Sequence, residues 1–237
     1  MSNRGSVWNE YESVENLSNK VFKAKKNNSN EMFVIKQIIG QKKISLENRN
    51  KIKQLNSEHY IKIIDIIEEE YSIFIIMELL DYDLENYLKN NEFSIKDLWL
   101  LLSQLKDVFF ELNNKKIILE NIQLSNILVS NKNNKINYKL ANFNIFNPEN
   151  EDCLTVNQEN TIFDAPEFLK NTNMSQKSMI YNLGILIYYI LLREYPYTER
   201  NEFRLLNSIR ENNLEFKIEE NKDIEELIKK MLKFANL

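Results

Sequence analysis

The spacing of apolar residues changes once along this chain of 237 residues. From Tyr11 to Ile76 it runs in short β-branched and aromatic stretches broken by polar turns, with one helical stretch between them. Val21–Ala24 and Met32–Lys36 predict paired strands around the turn Lys25–Asn30, since runs of Val, Ile and Phe bounded by Asn and Ser fit a pleated, half-buried surface. Ser45 is a natural N-cap for a helix reaching Leu55, with Leu46, Ile52 and Leu55 as its apolar positions. Tyr60–Ile66 and Tyr71–Glu78 predict two further strands.

After Asp83 the period becomes helical. Leu84–Lys89, Ile95–Leu112, Ser178–Leu192 and Ile224–Phe234 carry apolar residues at helical spacing. Asn126–Val129 and Asn137–Leu140 predict a short strand pair across the turn Asn131–Lys135. Strands first and helices second is the order of an α+β fold. The run Ile185–Leu192 is far shorter than the roughly 18 residues of a membrane span and predicts a buried helix, apolar on every side. Trp99, inside the apolar run Leu98–Leu102, is assigned to the core.

Composition narrows the picture. With 43% hydrophobic and 28% charged residues the chain is globular, and a formal net charge of −4 with interspersed signs argues against nucleic-acid and membrane partners. A single cysteine, Cys153, rules out an internal disulfide, and the first residues carry neither an apolar leader core nor a glycine directly after Met1, so an intracellular location is expected. The run Glu68-Glu69-Glu70 reads as solvated. The 36 asparagines are read as compositional bias, whereas the scarcity of glycine, three in all, bears on the chemistry below.

Several motifs stand in a fixed order. They are Phe33-Val34-Ile35-Lys36, then Met77-Glu78-Leu79-Leu80-Asp81-Tyr82-Asp83-Leu84, then Leu119-Glu120-Asn121-Ile122-Gln123-Leu124-Ser125-Asn126, then Asn142-Phe143-Asn144, Ala165-Pro166-Glu167, Leu183-Gly184 and Arg193-Glu194-Tyr195-Pro196-Tyr197. From about Tyr11 to Leu237 this order resembles the eukaryotic protein kinases: the third-strand V-A-I-K, gatekeeper and hinge, H-R-D-L-x-x-x-N, D-F-G, A-P-E, the end of D-x-W-x-x-G, and G-x-x-P-Y with Arg193 in place of the glycine. The resemblance implies a bilobal α+β fold. Residues 1–10 would form an N-terminal extension, 11–80 the small β-rich lobe and hinge, and 81–237 a helical lobe cut short after its penultimate helices.

The resemblance also locates the departures. Asn121 stands where the catalytic aspartate accepts a substrate proton, a contribution worth about 10²–10⁴ in rate. Gln123 replaces the loop lysine, and Asn142 replaces the aspartate that binds magnesium, a hard cation held through carboxylates and phosphates. Asn126 matches the second metal-binding position, but its side chain could equally serve the loop backbone. The phosphate loop needs glycines so that backbone N–H groups can approach the phosphates; aligned on Val21, those positions hold Val14, Asn16 and Asn19, with Glu15 adding negative charge.

A residual nucleotide site would comprise Val21, Val34, Lys36, Glu78, Leu80 and Leu128, narrowed by Val34 where the family carries alanine. Lys36 could touch phosphates or serve the structure, with Asn48 at the helix pairing position and Glu47 one residue away. Leu119, Ile52 and Phe143 would form an apolar column between the lobes. His59 is assigned as a loop anchor. Glu167, whose family partner is an Arg beyond the last helix here, would need another partner or a second chain.

These readings converge on a kinase-like domain without catalysis that binds another protein, an active kinase or its substrate. The rivals are a weak or atypical Ser/Thr kinase and a nucleotide-binding switch. No resident cofactor is expected, and any binding of ATP and magnesium is expected to be weak.

Overall fold

The computed structural model describes residues 7–39, 46–119, 122–133, 135–141, 165–167, 174–199, 201–211 and 221–233, with the side chains of 46–49, 202 and 210 set aside. Helix α1 (Val7–Glu10) leads into strands β1 (Tyr11–Ser18), β2 (Val21–Lys26) and β3 (Met32–Ile39). Helix α2 (Leu46–Lys53) is followed by β4 (Ile63–Glu68) and β5 (Ser72–Glu78). These strands form one antiparallel sheet in the order β1-β2-β3-β5-β4.

Register sorts the sheet into two faces. Val21 lies opposite Lys36, Val34 opposite Met77, and Lys36 opposite Ile75, so these residues share one face with Lys23, the partner of Val34. The alternation that strands impose sends Ile35, Phe74 and Ile76 to the other face. There they pack with Ala24, Ile67, Tyr11 and Val7 in a small core of their own. Helix α1 closes that core: the Val7 N–H donates to Glu69 Oε1 (2.8 Å), and Trp8 meets Phe22 and Phe74 edge to face. Glu69 is thus a cap for α1 and not simply a solvated charge.

The second half begins with β6 (Tyr82–Asp83), α3 (Leu84–Asn90) and the long α4 (Ile95–Asn114). Asp83 and Ser94 cap α3 and α4, and Ser94 with Asp97 forms a capping box. A 3₁₀ turn (Leu124–Asn126) leads to β7 (Ile127–Lys132) and β8 (Lys135–Leu140), which add to β6 as a second sheet. Helices α5 (Gln176–Leu192), α6 (Glu202–Glu211) and α7 (Lys222–Met231) complete the described chain. A large core joins the inner sheet face to α2, α4, β7, β8 and α5.

Gly184 marks a close helix contact, since a Cβ there would meet Leu232 Cδ2 and Met231 Cβ at 2.9 Å. Arg193 ends α5 in the left-handed region (φ 59°), with its N–H on Tyr189 O (2.8 Å). It takes the conformation for which glycine is favoured at helix ends.

Two readings need correction. Tyr60, Ile61 and Lys62 are not strand: β4 begins at Ile63, and Tyr60 instead bridges Leu140 in parallel, because Leu140 takes the backbone groups of 59–61. Trp99 is 42% exposed, not core. Leu98, Leu101 and Leu105 take the buried stripe of α4, and Trp99 is about 100° round the helix from Leu98. Helix α6 is not among the elements that the apolar spacing predicts, and Ser45 lies outside the described residues.

Candidate functional site

The cleft-facing side of the sheet and the β6-β7-β8 sheet bring the expected nucleotide residues onto neighbouring elements. Val34 is buried between Lys23 of β2 and Met77 of β5, while Val21 and Leu128 are half-buried. Lys36 shares the face of Val21 and Val34, and burial pushes its ammonium below the ordinary lysine value. The side chains of Glu47 and Asn48 lie outside the described residues, so its pairing on α2 is not described.

Glu78 and Leu80 lie where the first sheet passes into the second half. The Glu78 carboxylate turns to the protein: Oε1 accepts from Lys139 Nζ (2.6 Å) and from the Lys62 N–H (2.8 Å). It ties β5, β8 and the segment before β4 together. Nothing local in the sequence signals this pair, whose members are 61 residues apart.

The catalytic-loop positions are built by the turn before β7. Gln123 precedes the 3₁₀ turn, and the Asn126 carbonyl accepts from the Ala141 N–H (2.7 Å), which brings Asn126 beside the residue preceding Asn142. The register Ile127 opposite Leu140 fixes this approach. Asn121, Asn142, Phe143, Glu120 and Cys153 lie outside the described residues. Leu119 is fully buried, its N–H directed at Met179 Sδ of α5 (3.4 Å), and Ile52 is buried in the same core.

The roof of the cleft is the β1–β2 hairpin. It turns at Asn19 and Lys20, and Lys20 holds φ 63° without being glycine. Two register shifts, between Ser13 and Glu15 and between Asn16 and Ser18, break the pairing of β1, and every residue from Glu12 to Ser18 is exposed. Glu15 lies opposite Lys23 and pairs with its ammonium (3.8 Å), so the hairpin puts an ion pair of its own on the cleft-facing side.

For a metal, the described residues offer Asn126 and no cluster of three or more His, Cys, Asp or Glu. Neutral amide oxygen is a poor substitute for carboxylate around magnesium.

Behind the cleft, the loop after α2 is held by the last turn of α4. The Glu111 carboxylate accepts from the N–H groups of Asn56 (2.9 and 3.1 Å) and Ser57 (2.8 Å), and Lys115 Nζ donates to Gln54 O (2.8 Å). His59 is buried with Nδ1 3.2 Å from Tyr138 O, and Leu140 N and O bond His59 O and Ile61 N. That is the loop-anchor role expected of His59. Glu167 accepts from Ser178 Oγ (2.8 Å), a partner inside the chain.

The family is now identifiable from sequence and geometry together. The sequence profile of the protein kinase domain matches residues 17–236, and the chain belongs to that family. Serine/threonine-protein kinase 33 of Bos taurus is 25% identical over 177 residues, covering 70% of this chain and 36% of that protein. The serine/threonine-protein kinase stk11 homolog of Dictyostelium discoideum is 26% identical over 215 residues, covering 86% and 36%. A putative serine/threonine-protein kinase of Acanthamoeba polyphaga mimivirus is 26% identical over 188 residues, covering 68% and 42%. The chain therefore spans well under half the length of these relatives. Among the described residues no helix is long and apolar enough to cross a membrane.

Proposed function

We propose that this domain is a kinase-fold binding module without phosphotransfer, acting inside the cell on another protein, an active kinase or its substrate. The observation that carries this is the roof: an ion pair, Glu15–Lys23, occupies the cleft-facing side of a hairpin with no glycine at the phosphate-loop positions. Phosphoryl transfer is mostly positioning and electrostatic stabilisation, and here the nucleotide lacks a phosphate cradle, a loop lysine and two carboxylates. Apolar packing and the inter-element bonds that hold the fold are meanwhile in place.

One observation favours a second reading, a weak Ser/Thr kinase: Lys36 and Asn126 keep the family residues, and Lys36 lies on the face of the apolar slot. A thermal-shift titration with ATP, with and without magnesium, separates the two. The binding module gives no shift and no labelling of protein substrates. Magnesium-dependent labelling that vanishes in Lys36→Met establishes the kinase instead. The paired variant Asn121→Asp with Asn142→Asp is expected to remain inactive, because two restored acids still face a poorly held nucleotide.

A further inference from the structure

The corner where α1, β1 and the turn after β2 meet is held by two bonds. The Asn27 N–H donates to Glu10 O (2.8 Å), and Asn27 Nδ2 donates to Asn9 O (2.8 Å). The corner frames a hollow of about 460 Å³ lined by Trp8, Tyr11, Glu12, Ser13 and Asn27. That volume lies within the range of about 300–1,000 Å³ of ligand sites, and the hollow opens widely to solvent. It adjoins the small core of Val7, Tyr11 and Phe74, not the sheet face that carries Val34 and Lys36.

We propose that this hollow is a binding site for the guanidinium group of an arginine presented by a partner protein. Its lining has the chemistry such a group needs. Trp8, 36% exposed, offers an indole, the best aromatic partner for a cation, and Tyr11 supplies a second ring. The Glu12 carboxylate is exposed and enters no ion pair among the described residues, although Lys25 lies opposite it in the register. Asn27 has its amide nitrogen engaged on Asn9 O, which leaves Oδ1 as its accepting atom. Ser13 adds a hydroxyl, and no cationic side chain lines the hollow.

Charge favours the same ligand. Burial, and after it the carboxylates of Glu10, Asp65 and Glu31, hold the Tyr11 phenol above its ordinary value, so this wall lies in the field of several anions besides Glu12. Lys25 and Lys26 are the opposing charges, across the ladder from Glu12 and Tyr11.

Shape selects arginine over lysine. A guanidinium is planar, stacks on an indole and sends its donors in a fixed fork to a carboxylate, whereas an ammonium is a strongly hydrated point charge. The wide mouth suits a side chain projecting from a larger surface better than a free small molecule, which ligand pockets bury on most sides. Because the hollow lies away from the cleft, it is independent of whether the cleft holds a nucleotide.

Proton–nitrogen correlation NMR of the full chain, titrated with the capped peptide acetyl-Gly-Arg-Gly-amide, tests this. The chain has two tryptophans, so the indole N–H of Trp99 on α4, assigned with Trp99→Phe, is an internal control. The expected result is a saturable shift of the Trp8 indole signal, with a dissociation constant on the order of millimolar, while the Trp99 signal stays still. The same peptide with citrulline, which keeps the shape and loses the charge, should bind about tenfold more weakly, and the lysine peptide about threefold. Glu12→Gln alters an exposed side chain, leaves the fold intact and should weaken binding about fivefold. The proposal is overturned if the Trp8 signal moves no more than that of Trp99, if the citrulline or lysine peptide binds equally well, or if Glu12→Gln leaves the affinity unchanged. Free arginine bound more tightly than the capped peptide would assign the hollow to a small molecule and overturn the partner protein.

Discussion

The seams behind the cleft and the roof in front of it are joined by the same sheet and are built to different standards. Behind, the Glu111 carboxylate meets two backbone N–H groups, Lys115 reaches Gln54 O, and Glu78 and Lys139 lock β5 to β8. Between helices, Gly184 lets α5 lie directly on Leu232. In front, β1 is bulged twice, exposed from Glu12 to Ser18, and held to Lys23 by a surface ion pair. Bonds behind the cleft maintain the fold whatever the chemistry, whereas a roof has strict requirements only if it must hold phosphates.

The largest effect should come from the close contact at Gly184. Gly184→Val adds branched volume against Leu232 and Met231 side-chain atoms that already lie 2.9 Å from a bare Cβ. Overpacking of this kind costs about 3 kcal/mol, which for a chain of this size lowers the melting temperature by about 6–12 °C. A melting temperature within a degree or two of the parent would mean that α5 and α7 separate readily, and the contrast would lose one side.

Next is the clamp. Glu111→Ala removes a carboxylate that satisfies the N–H groups of Asn56 and Ser57 and leaves Lys115 without its neighbour at 3.6 Å. Losing charge-assisted bonds of this type costs about 2 kcal/mol. Hydrogen exchange should rise at residues 54–62 more than in β1, which reports the location as well as the magnitude of the loss.

The sequence makes one part of this contrast legible and hides the other. Strand pairing around Lys25–Asn30, helices at Leu84 and Ile95, and the glycine-free roof follow from local periodicity and from motif order, which a single chain displays. The clamp does not, because Glu111 and Asn56 are 55 residues apart and neither type signals the other. Periodicity misplaces Trp99 for a related reason: in an apolar run as dense as Leu98–Leu102, it leaves the helix face ambiguous. Tyr60 reads as strand because it lies in a β-favouring run, but its partner is the end of β8 and not the sheet. The chemistry of Asn121 and Asn142 rests on motif position alone, since both lie outside the described residues.

A smaller effect is expected at the roof. Glu15→Gln breaks the pair between exposed Glu15 and half-buried Lys23, and pairs near the surface contribute about 0–1 kcal/mol. The melting temperature should move by less than about 4 °C. A larger fall would show that the hairpin carries structural weight that its bulges and exposure conceal. If the variant gained an ATP-dependent shift, the phosphates would have to reach this hairpin, and the binding-module reading would weaken.

The smallest and most specific effect concerns Lys36, which belongs to both regions: its strand is part of the seam and its side chain faces the cleft. Burial lowers its value in the folded protein, so the charged form is disfavoured there relative to the unfolded chain. The sign follows from proton linkage. Between the lowered folded value and the ordinary lysine value of 10.5, the unfolded chain holds a proton that the folded protein has lost, and stability therefore rises with pH across that window. Below the lowered folded value both states are charged and the cost of burying the ammonium is present in full. Lys36→Met removes the group from both states, while every other titrating residue remains common to the two proteins. The difference in melting temperature, parent minus variant, should accordingly increase as pH climbs toward 10.5 and level off above it. A flat difference would mean that Lys36 is solvated when folded. A difference that falls with pH would mean that an opposing carboxylate outweighs burial and raises the folded value, which would move Lys36 from the cleft to the seam.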